Sequence, residues 1–313
     1  MPNLNLCSTN LRSFEHELTF VGKVSTVTGF VQRSIPTTGA TINVLTGGQG
    51  PPLLLLHGYP QTHLEWRKIA PELARDFTLV MADLRGYGDS AKPEGGDGHV
   101  NYSKRAMALD QVEVMSALGF DEFALVGHDR GARVSHRLAL DHPDRVTKLA
   151  LLDICPTLHM YNTANRAFAT IYFHWLFLIQ PEPLPEKLIG GDPEAVLKQF
   201  LGAVAGIEPE AFGEYLRCFS DPATIHATCE DYEDYRAAAT IDLAHDEADL
   251  DQKIACPLLV LWGARGLVGH MYDVLAVWRE RARNVSGTAL PCGHWIPEEA
   301  PTEAVAELAA FLA

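Results

Sequence analysis

Short, largely apolar segments recur along the chain, and each ends at a polar residue or a glycine. A strand that is covered by helices on both faces has this composition, because neither of its faces meets water. We therefore predict the central strands of a parallel sheet at residues 53–56, 78–82, 123–126, 149–152 and 257–262.

Longer segments with helical periodicity lie between or after these strands, at residues 102–118, 132–141 and 303–312. Alternation of strands and helices is typical of an open, mostly parallel sheet that is flanked by helices. The fold class predicted from the pattern is therefore α/β, with short right-handed crossovers.

The strand pattern stops in the middle of the chain, over residues 156–249. This part has helical segments separated by prolines and by a glycine pair, and it is too long for a loop. We predict a helical cap inserted into an α/β core. The core would comprise residues 1–156 and 251–313 and the cap residues 157–250, while residues 1–20 are a candidate disordered segment.

Composition restricts the class of function further. Of 313 residues, 40 are acidic and 25 are Lys or Arg, so the formal net charge is −15, and 47% are hydrophobic. So much apolar sequence excludes a disordered chain, and acidity without a basic cluster excludes nucleic acid and anionic membranes as partners. An anionic substrate would need a site with its own positive charge.

The six cysteines are scattered and form no C-x-x-C pair. This usage is typical of reduced thiols in a cytoplasmic protein, and it predicts neither a disulfide framework nor a metal site. The start of the chain lacks a signal-peptide pattern, and the most apolar stretch, residues 168–179, is shorter than the ~20 residues of a membrane span. We predict a cytoplasmic protein without a membrane segment.

Residues 127–131, Gly-His-Asp-Arg-Gly, follow a predicted strand and precede a predicted helix. They match the nucleophile elbow G-x-S-x-G with an aspartate, Asp129, in the position of the serine. The glycines allow the sharp strand-to-helix turn that exposes the central side chain. The alternative for Asp129 is a helix cap, since carboxylates are also favoured at a helix N-terminus.

Two other motifs have the positions that this arrangement requires. His-Gly-Tyr-Pro at residues 57–60 follows a strand as an oxyanion-hole loop does, with the backbone N–H groups of Tyr59 and Arg130 as the donors. His294 lies near the C-terminus in Cys-Gly-His-Trp, so the nucleophile precedes the histidine as in the α/β-hydrolases.

The acid that orients His294 is predicted to be Asp153. Residues 263–267, where many members of this fold carry the acid, contain no carboxylate, whereas Asp153 follows the strand at residues 149–152. The alternative for Asp153 is a cap of the turn that comes next.

An aspartate nucleophile changes the reaction class. A carboxylate attacks a saturated carbon and expels a leaving group, which gives an ester of the enzyme, and water activated by His294 then hydrolyses that ester. Epoxide hydrolases and dehalogenases share this chemistry. We expect no cofactor.

Two arginines, Arg130 and Arg133, share a helix face beside the nucleophile. Guanidinium groups bind carboxylates through charge-assisted hydrogen bonds, so this pair predicts a substrate that is itself an acid. The alternative is an arginine paired with a surface acid, which fits Arg137 with Asp141 or Asp144 better than it fits the pair at the elbow.

Over nearly its whole length the chain resembles the haloacetate dehalogenases, including the fluoroacetate dehalogenases. The resemblance is carried by residues 127–136, 173–175 and 236–242. It implies the α/β-hydrolase fold with an inserted helical cap, a substrate carboxylate held by Arg130 and Arg133, and a homodimer.

The resemblance also implies that His174, Trp175 and a cap tyrosine donate hydrogen bonds to the departing halide. Fluoride is small and strongly hydrated, so several converging donors must replace its water. Glu-Asp-Tyr occurs twice in the cap, and we favour Tyr235, which keeps the spacing to the arginine that follows, over Tyr232. Without the resemblance, His174 and Trp175 would be interpreted as a buried helix face.

The predicted function is the hydrolysis of a short haloacid, with fluoroacetate as the favoured substrate, to glycolate and halide. Two alternatives stay open: an epoxide hydrolase, in which Tyr232 or Tyr235 protonates the opening alkoxide, and an α/β-hydrolase-fold scaffold without catalysis. An epoxide hydrolase would have no use for the paired arginines. A scaffold without catalysis would have no use for the complete set of Asp129, Asp153 and His294.

Overall fold

The computed structural model describes residues 27–201, 206–231 and 237–313. Both candidate halide tyrosines, Tyr232 and Tyr235, lie outside these ranges, as does the candidate disordered segment at the start of the chain.

Eight strands within the described ranges form one sheet. They are β1 (Val31–Pro36), β2 (Thr41–Gly48), β3 (Pro52–Leu56), β4 (Thr78–Ala82), β5 (Phe123–His128), β6 (Val146–Leu152), β7 (Leu258–Gly263) and β8 (Val285–Leu290). The order is β1-β2-β4-β3-β5-β6-β7-β8, with antiparallel pairing at β1–β2 and β2–β4 and parallel pairing elsewhere. The sheet is mostly parallel, so the predicted α/β class is confirmed.

Helices connect the strands, and most of them lie between β6 and β7. They are α1 (Ala70–Leu73), α2 (Lys104–Ala117), α3 (Asp129–Asp141), α4 (Thr157–Asn162), α5 (Arg166–Ile171), α6 (Phe173–Leu178), α7 (Leu184–Gly191), α8 (Pro193–Leu201), α9 (Pro209–Phe219), α10 (Pro222–Asp231), α11 (Leu243–Ala248), α12 (Leu267–Met271), α13 (Val274–Arg281), α14 (Ile296–Glu299) and α15 (Pro301–Leu312). Segments of 3₁₀ helix cover His63–Lys68 and Asp97–Tyr102, and Ala237–Asp242 is π-helical. Among the described helices, none combines the length and the hydropathy that crossing a bilayer requires.

All five strands that the apolar segments predict are present, as β3 to β7. In β5 every side chain is buried, and in β3 all but the first, which explains their unbroken apolar sequence. The pattern misses β1, β2 and β8. Strands β1 and β8 are the two edges of the sheet and carry exposed or half-buried polar residues, and β2 ends in two glycines.

Helix α3 packs against β5 and β6, and it begins at Asp129, three residues before its predicted start. The helix follows β5 directly, and Asp129 has a φ of 45°, in the left-handed region that non-glycine residues rarely adopt. Two glycines permit this turn. A Cβ on Gly131 would overlap the carbonyl oxygen of Leu56, and a Cβ on Gly127 would lie 2.6 Å from the backbone of Gly131.

Helices α4 to α11 occupy the position predicted for the cap, between β6 and β7. Ion pairs join this region to the core: Lys104 at the start of α2 contacts Asp231 at the end of α10, and Arg137 in α3 lies 2.9 Å from Asp249. The boundaries of the cap as a separate unit stay a prediction.

Gly131→Ala is expected to destabilise the protein by about 2–4 kcal/mol, because the added Cβ would displace the backbone at the end of β3. The matched control is Gly213→Ala, at an exposed position of α9 where a Cβ meets nothing within 4 Å. This control should gain about 0.5–1 kcal/mol, since alanine is the better helix former. Urea unfolding compares the two free energies, and similar values for both variants would contradict the packing described here.

Candidate active site

Asp129 is the first residue of α3, and it lies at the carboxyl ends of the neighbouring strands β3 and β5. The backbone N–H of Tyr59 donates to Asp129 Oδ1 at 3.0 Å. A Cβ on Gly58 would lie 2.7 Å from Asp129 Cβ, so only glycine lets the loop approach this closely. The carboxylate is therefore oriented by the loop after β3.

That loop is held against the elbow by backbone hydrogen bonds. Leu56 pairs with Gly127 across β3 and β5, and the N–H of Gly131 donates to the carbonyl of His57 at 2.9 Å. These contacts bring the predicted oxyanion donor Tyr59 to the nucleophile. The second predicted donor, the N–H of Arg130, belongs to the first turn of α3, where helical N–H groups have no partner within the helix.

His294 and Asp153 also lie at the carboxyl ends of the strands, after β8 and β6. His294 Nδ1 lies 2.6 Å from Asp153 Oδ2, and His294 Nε2 lies 3.8 Å from Asp129 Oδ2. The alternative of a turn cap accounts for only one oxygen of Asp153, because Oδ1 accepts from the N–H of Gly263 at 2.9 Å while Oδ2 faces the imidazole. All three predicted catalytic residues are thus brought together.

Asp129 is 6% exposed, yet it lies among positive groups. Burial alone would raise its pKa, but the charges of His294, Arg130, His128 and Arg133 outweigh burial and hold the pKa of Asp129 well below its usual range. The carboxylate is therefore ionised at neutral pH, as a nucleophile must be.

Arg130 and Arg133 are buried beside Asp129 and lie against the same ring. Their guanidinium carbons are 5.3 Å and 4.5 Å from the centre of the Trp175 ring, within the range of cation–π attraction. Arg133 also donates to Thr157 Oγ1 at 2.9 Å and to the carbonyl of Cys155 at 3.2 Å. These contacts fix the guanidinium group in place.

Arg137 pairs with acidic side chains, which is the alternative role given above for an arginine of this helix. Its Nη2 lies 2.7 Å from Asp141 Oδ1 and 2.9 Å from Asp249 Oδ2. Of the two acids that the sequence offers, Asp141 is the one that pairs with Arg137 in the structure. Arg137 therefore has a different environment from the two arginines one and two turns before it.

His174 and Trp175 lie in α6 of the cap region. Burial lowers the pKa of His174 to about 3, although the charge of Asp129 opposes this effect, so the imidazole is neutral at pH 7. Trp175 is 1% exposed, and its Nε1 has no hydrogen-bond partner within the described part of the chain. A buried N–H without an acceptor is costly, and an incoming anion would satisfy it.

Sequence reasoning missed two groups of supporting residues. Cys155 and Thr157 hold Arg133, and Glu65, which is fully buried, contacts both Gly58 and His128. No pattern along the chain marks them, because their partners come from other segments. The segment around Glu65, Thr-His-Leu-Glu-Trp-Arg-Lys at residues 62–68, is mostly polar and gives no signal that this acid is buried.

Comparison with known proteins finds relatives that cover most of this chain. A family model described as the α/β hydrolase fold matches residues 51–301. A fluoroacetate dehalogenase from Burkholderia is 47% identical over 91% of this chain and 94% of its own length. A soluble epoxide hydrolase from Corynebacterium is 35% identical over 84% of this chain and 90% of its own. The crystal structure of the Nostoc protein ALR0039, 62% identical, has a TM-score of 0.88 and covers 91% of this chain and 98% of its own.

Acetate, a carboxylate without a leaving group, is expected to bind between the two arginines. Arg133→Gln should weaken this binding about 10- to 100-fold, because it removes a charge-assisted donor. Isothermal titration calorimetry with acetate measures the affinity. The matched control is Arg137→Gln on the same helix, whose charge is already paired. Equal losses of affinity in both variants would show that the arginines beside Asp129 form no specific anion site.

Proposed function

Because this chain belongs to the fluoroacetate dehalogenase family of the α/β-hydrolase fold, we propose that it hydrolyses haloacetates, with fluoroacetate as the favoured substrate, to glycolate and halide. The observation that carries this proposal is the ionised carboxylate of Asp129 beside two buried guanidinium groups. An acid binding to Arg130 and Arg133 would have its C2 carbon next to that carboxylate.

The first step is a displacement at carbon. One oxygen of the Asp129 carboxylate attacks C2 of the bound haloacetate, the carbon–halogen bond breaks, and the halide leaves with the bonding electron pair. The product of this step is an ester in which one oxygen of Asp129 is bonded to the carboxymethyl group of the substrate. The depressed pKa of Asp129 supports the step, because the oxygen is unprotonated throughout the neutral range.

The second step hydrolyses the ester. His294 Nε2 takes a proton from a water molecule whose oxygen attacks Cγ of Asp129, and the N–H groups of Tyr59 and Arg130 stabilise the oxyanion. The tetrahedral adduct then breaks the bond from Cγ to the oxygen that carries the carboxymethyl group. This oxygen takes the proton from His294 and leaves as the hydroxyl group of glycolate. The contact of His294 with Asp153 supports this role, because the carboxylate orients the imidazole and stabilises its charged form.

The leaving halide would be received by N–H donors of the cap. Trp175 Nε1 has no partner among the described residues, and His174 is neutral and half-buried, so both can donate to an anion. Tyr235 is the third donor we propose. The cap of residues 157–250 would in this way supply the environment that replaces the water around fluoride.

We propose further that the protein is a cytoplasmic homodimer that associates through the cap. Five large apolar side chains of α5 to α7 are exposed: Ile171, Phe173, Leu176, Leu184 and Leu188. Apolar residues gathered on one region of a surface mark interaction sites.

Epoxide hydrolysis is the second candidate. The 35% identity with the soluble epoxide hydrolase from Corynebacterium favours it, and the same aspartate chemistry would open an epoxide. An epoxide carries no carboxylate, however, and would leave Arg130 and Arg133 without a ligand.

Incubation with fluoroacetate is expected to release fluoride, measured with a fluoride electrode, and chloroacetate is expected to release chloride. Heat-inactivated protein is the blank, and styrene oxide tests the second candidate. Halide release from neither acid, together with turnover of styrene oxide, would replace dehalogenation by epoxide hydrolysis.

Trp175→Phe is expected to slow fluoride release about 100-fold while slowing chloride release much less, because the weaker leaving group depends more on a hydrogen-bond donor. The phenyl ring keeps an aromatic face for the arginines. Trp278→Phe is the matched control, since Trp278 is buried but its Nε1 donates to the carbonyl of Ile154 at 3.0 Å. The ratio of the rates of fluoride and chloride release is independent of how much of the protein is folded. If Trp175→Phe left this ratio unchanged, Trp175 would not be part of the halide site.

The proposed dimer is tested by light scattering, which should give twice the chain mass. Leu188→Glu, at a side chain that is 59% exposed, is expected to shift the protein to the monomer because it places a charge in an apolar interface. A monomeric wild-type protein would be incompatible with the proposed assembly.

A further inference from the structure

A second pair of charged groups lies behind the nucleophile elbow, outside the residues assigned to the reaction above. Glu65 in the 3₁₀ segment His63–Lys68 and His128 at the end of β5 are both fully buried, and Glu65 Oε1 lies 2.8 Å from His128 Nδ1. The two atoms are close enough to form an ion pair.

Each member of the pair also holds one part of the active site. Glu65 Oε2 accepts from the N–H of Gly58 at 2.8 Å, in the oxyanion loop. His128 Nε2 lies 2.9 Å from the carbonyl oxygen of His294. The pair therefore connects the oxyanion loop, the nucleophile elbow and the loop of the catalytic histidine.

The geometry indicates the charge on His128. A carbonyl oxygen can only accept, so His128 Nε2 must carry a proton, and Nδ1 faces a carboxylate, which favours a second proton. Burial opposes this charge, but the charge of Glu65 outweighs burial and raises the pKa of His128 to about 9. The charged groups and rings that face His128 include Glu65, Asp129, the ring of Trp295, and the backbone and ring of His294.

We propose that Glu65 is a positioning residue that keeps His128 as an imidazolium behind Asp129, where its charge stabilises the oxyanion formed when the ester is hydrolysed. This inference rests on the proposed function. His128 transfers no proton in the step; its positive charge acts on the tetrahedral oxygen at Cγ of Asp129, and the neighbouring N–H of Tyr59 donates to the same oxygen. The first step forms no oxyanion and is expected to depend less on the pair.

Glu65→Gln separates charge from geometry. The amide oxygen can still accept from Gly58, and the amide nitrogen can donate to a neutral His128, so the contacts survive while both charges disappear. The matched control is Glu186→Gln in the cap, where Glu186 Oε1 lies 3.2 Å from His226 Nδ1. The control removes a carboxylate paired with a histidine elsewhere in the protein.

The experiment has two readouts on the full chain. Nitrogen-15 chemical shifts of histidine should identify His128 as doubly protonated at pH 7.5 in the wild type and the control, and as neutral in Glu65→Gln. Rapid quenching with chloroacetate followed by mass spectrometry should show ester hydrolysis slowed about tenfold in Glu65→Gln, so that the ester on Asp129 accumulates, with the rate of ester formation nearly unchanged.

A His128 that stays protonated in Glu65→Gln, or an unchanged rate of ester hydrolysis, would overturn the inference. His294→Asn tests the proposed function separately, since it should trap the ester; without ester there, the two-step scheme itself fails. If Glu65→Gln does not fold, the double variant Glu65→Gln, His128→Gln removes both charges and should show the same accumulation. The amide that replaces the imidazole in this double variant can still donate to the carbonyl of His294.

Discussion

The close packing of the elbow against the loop after β3 is the constraint on which the rest of the site depends. Strands β3 and β5 are parallel neighbours. The loop after β3 and the helix after β5 therefore begin side by side, at the carboxyl ends of the strands. Gly131 approaches the backbone of Leu56 closely enough to exclude any side chain, and Asp129 is left with a φ of 45°. This strained position points the carboxylate at the N–H of Tyr59.

Electrostatics then determine the charge of Asp129. The chain has a formal net charge of −15, yet positive groups on α3 and beyond β8 converge on Asp129 and keep it ionised. With a Debye length of about 8 Å in physiological salt, distant acids on the surface are screened, and the buried guanidinium groups dominate the local field. In the proposed function this local field is what attracts an anionic substrate to an acidic protein. Both guanidinium groups lie against the ring of Trp175.

Sequence patterns predicted what depends on neighbours in the chain. The unbroken apolar segments identified β3 to β7, and the glycines of residues 127–131 identified the elbow. The edge strands β1 and β8 were not predicted, because their side chains are partly exposed and form no continuous apolar segment. The role of Glu65 was missed for a different reason. It depends on contacts with Gly58 and His128, which come close to Glu65 only in the folded chain. The placement of Tyr235 lies outside the described residues.

The central claim is that the oxygen of Asp129, rather than water, attacks the carbon that bears the halogen. A single turnover with excess enzyme in water labelled with oxygen-18 tests it directly. The account predicts that the first glycolate released carries unlabelled oxygen from Asp129, and that the label appears in the carboxylate of Asp129 in peptide mass spectra. Labelled glycolate in the first turnover, with an unlabelled Asp129, would contradict it.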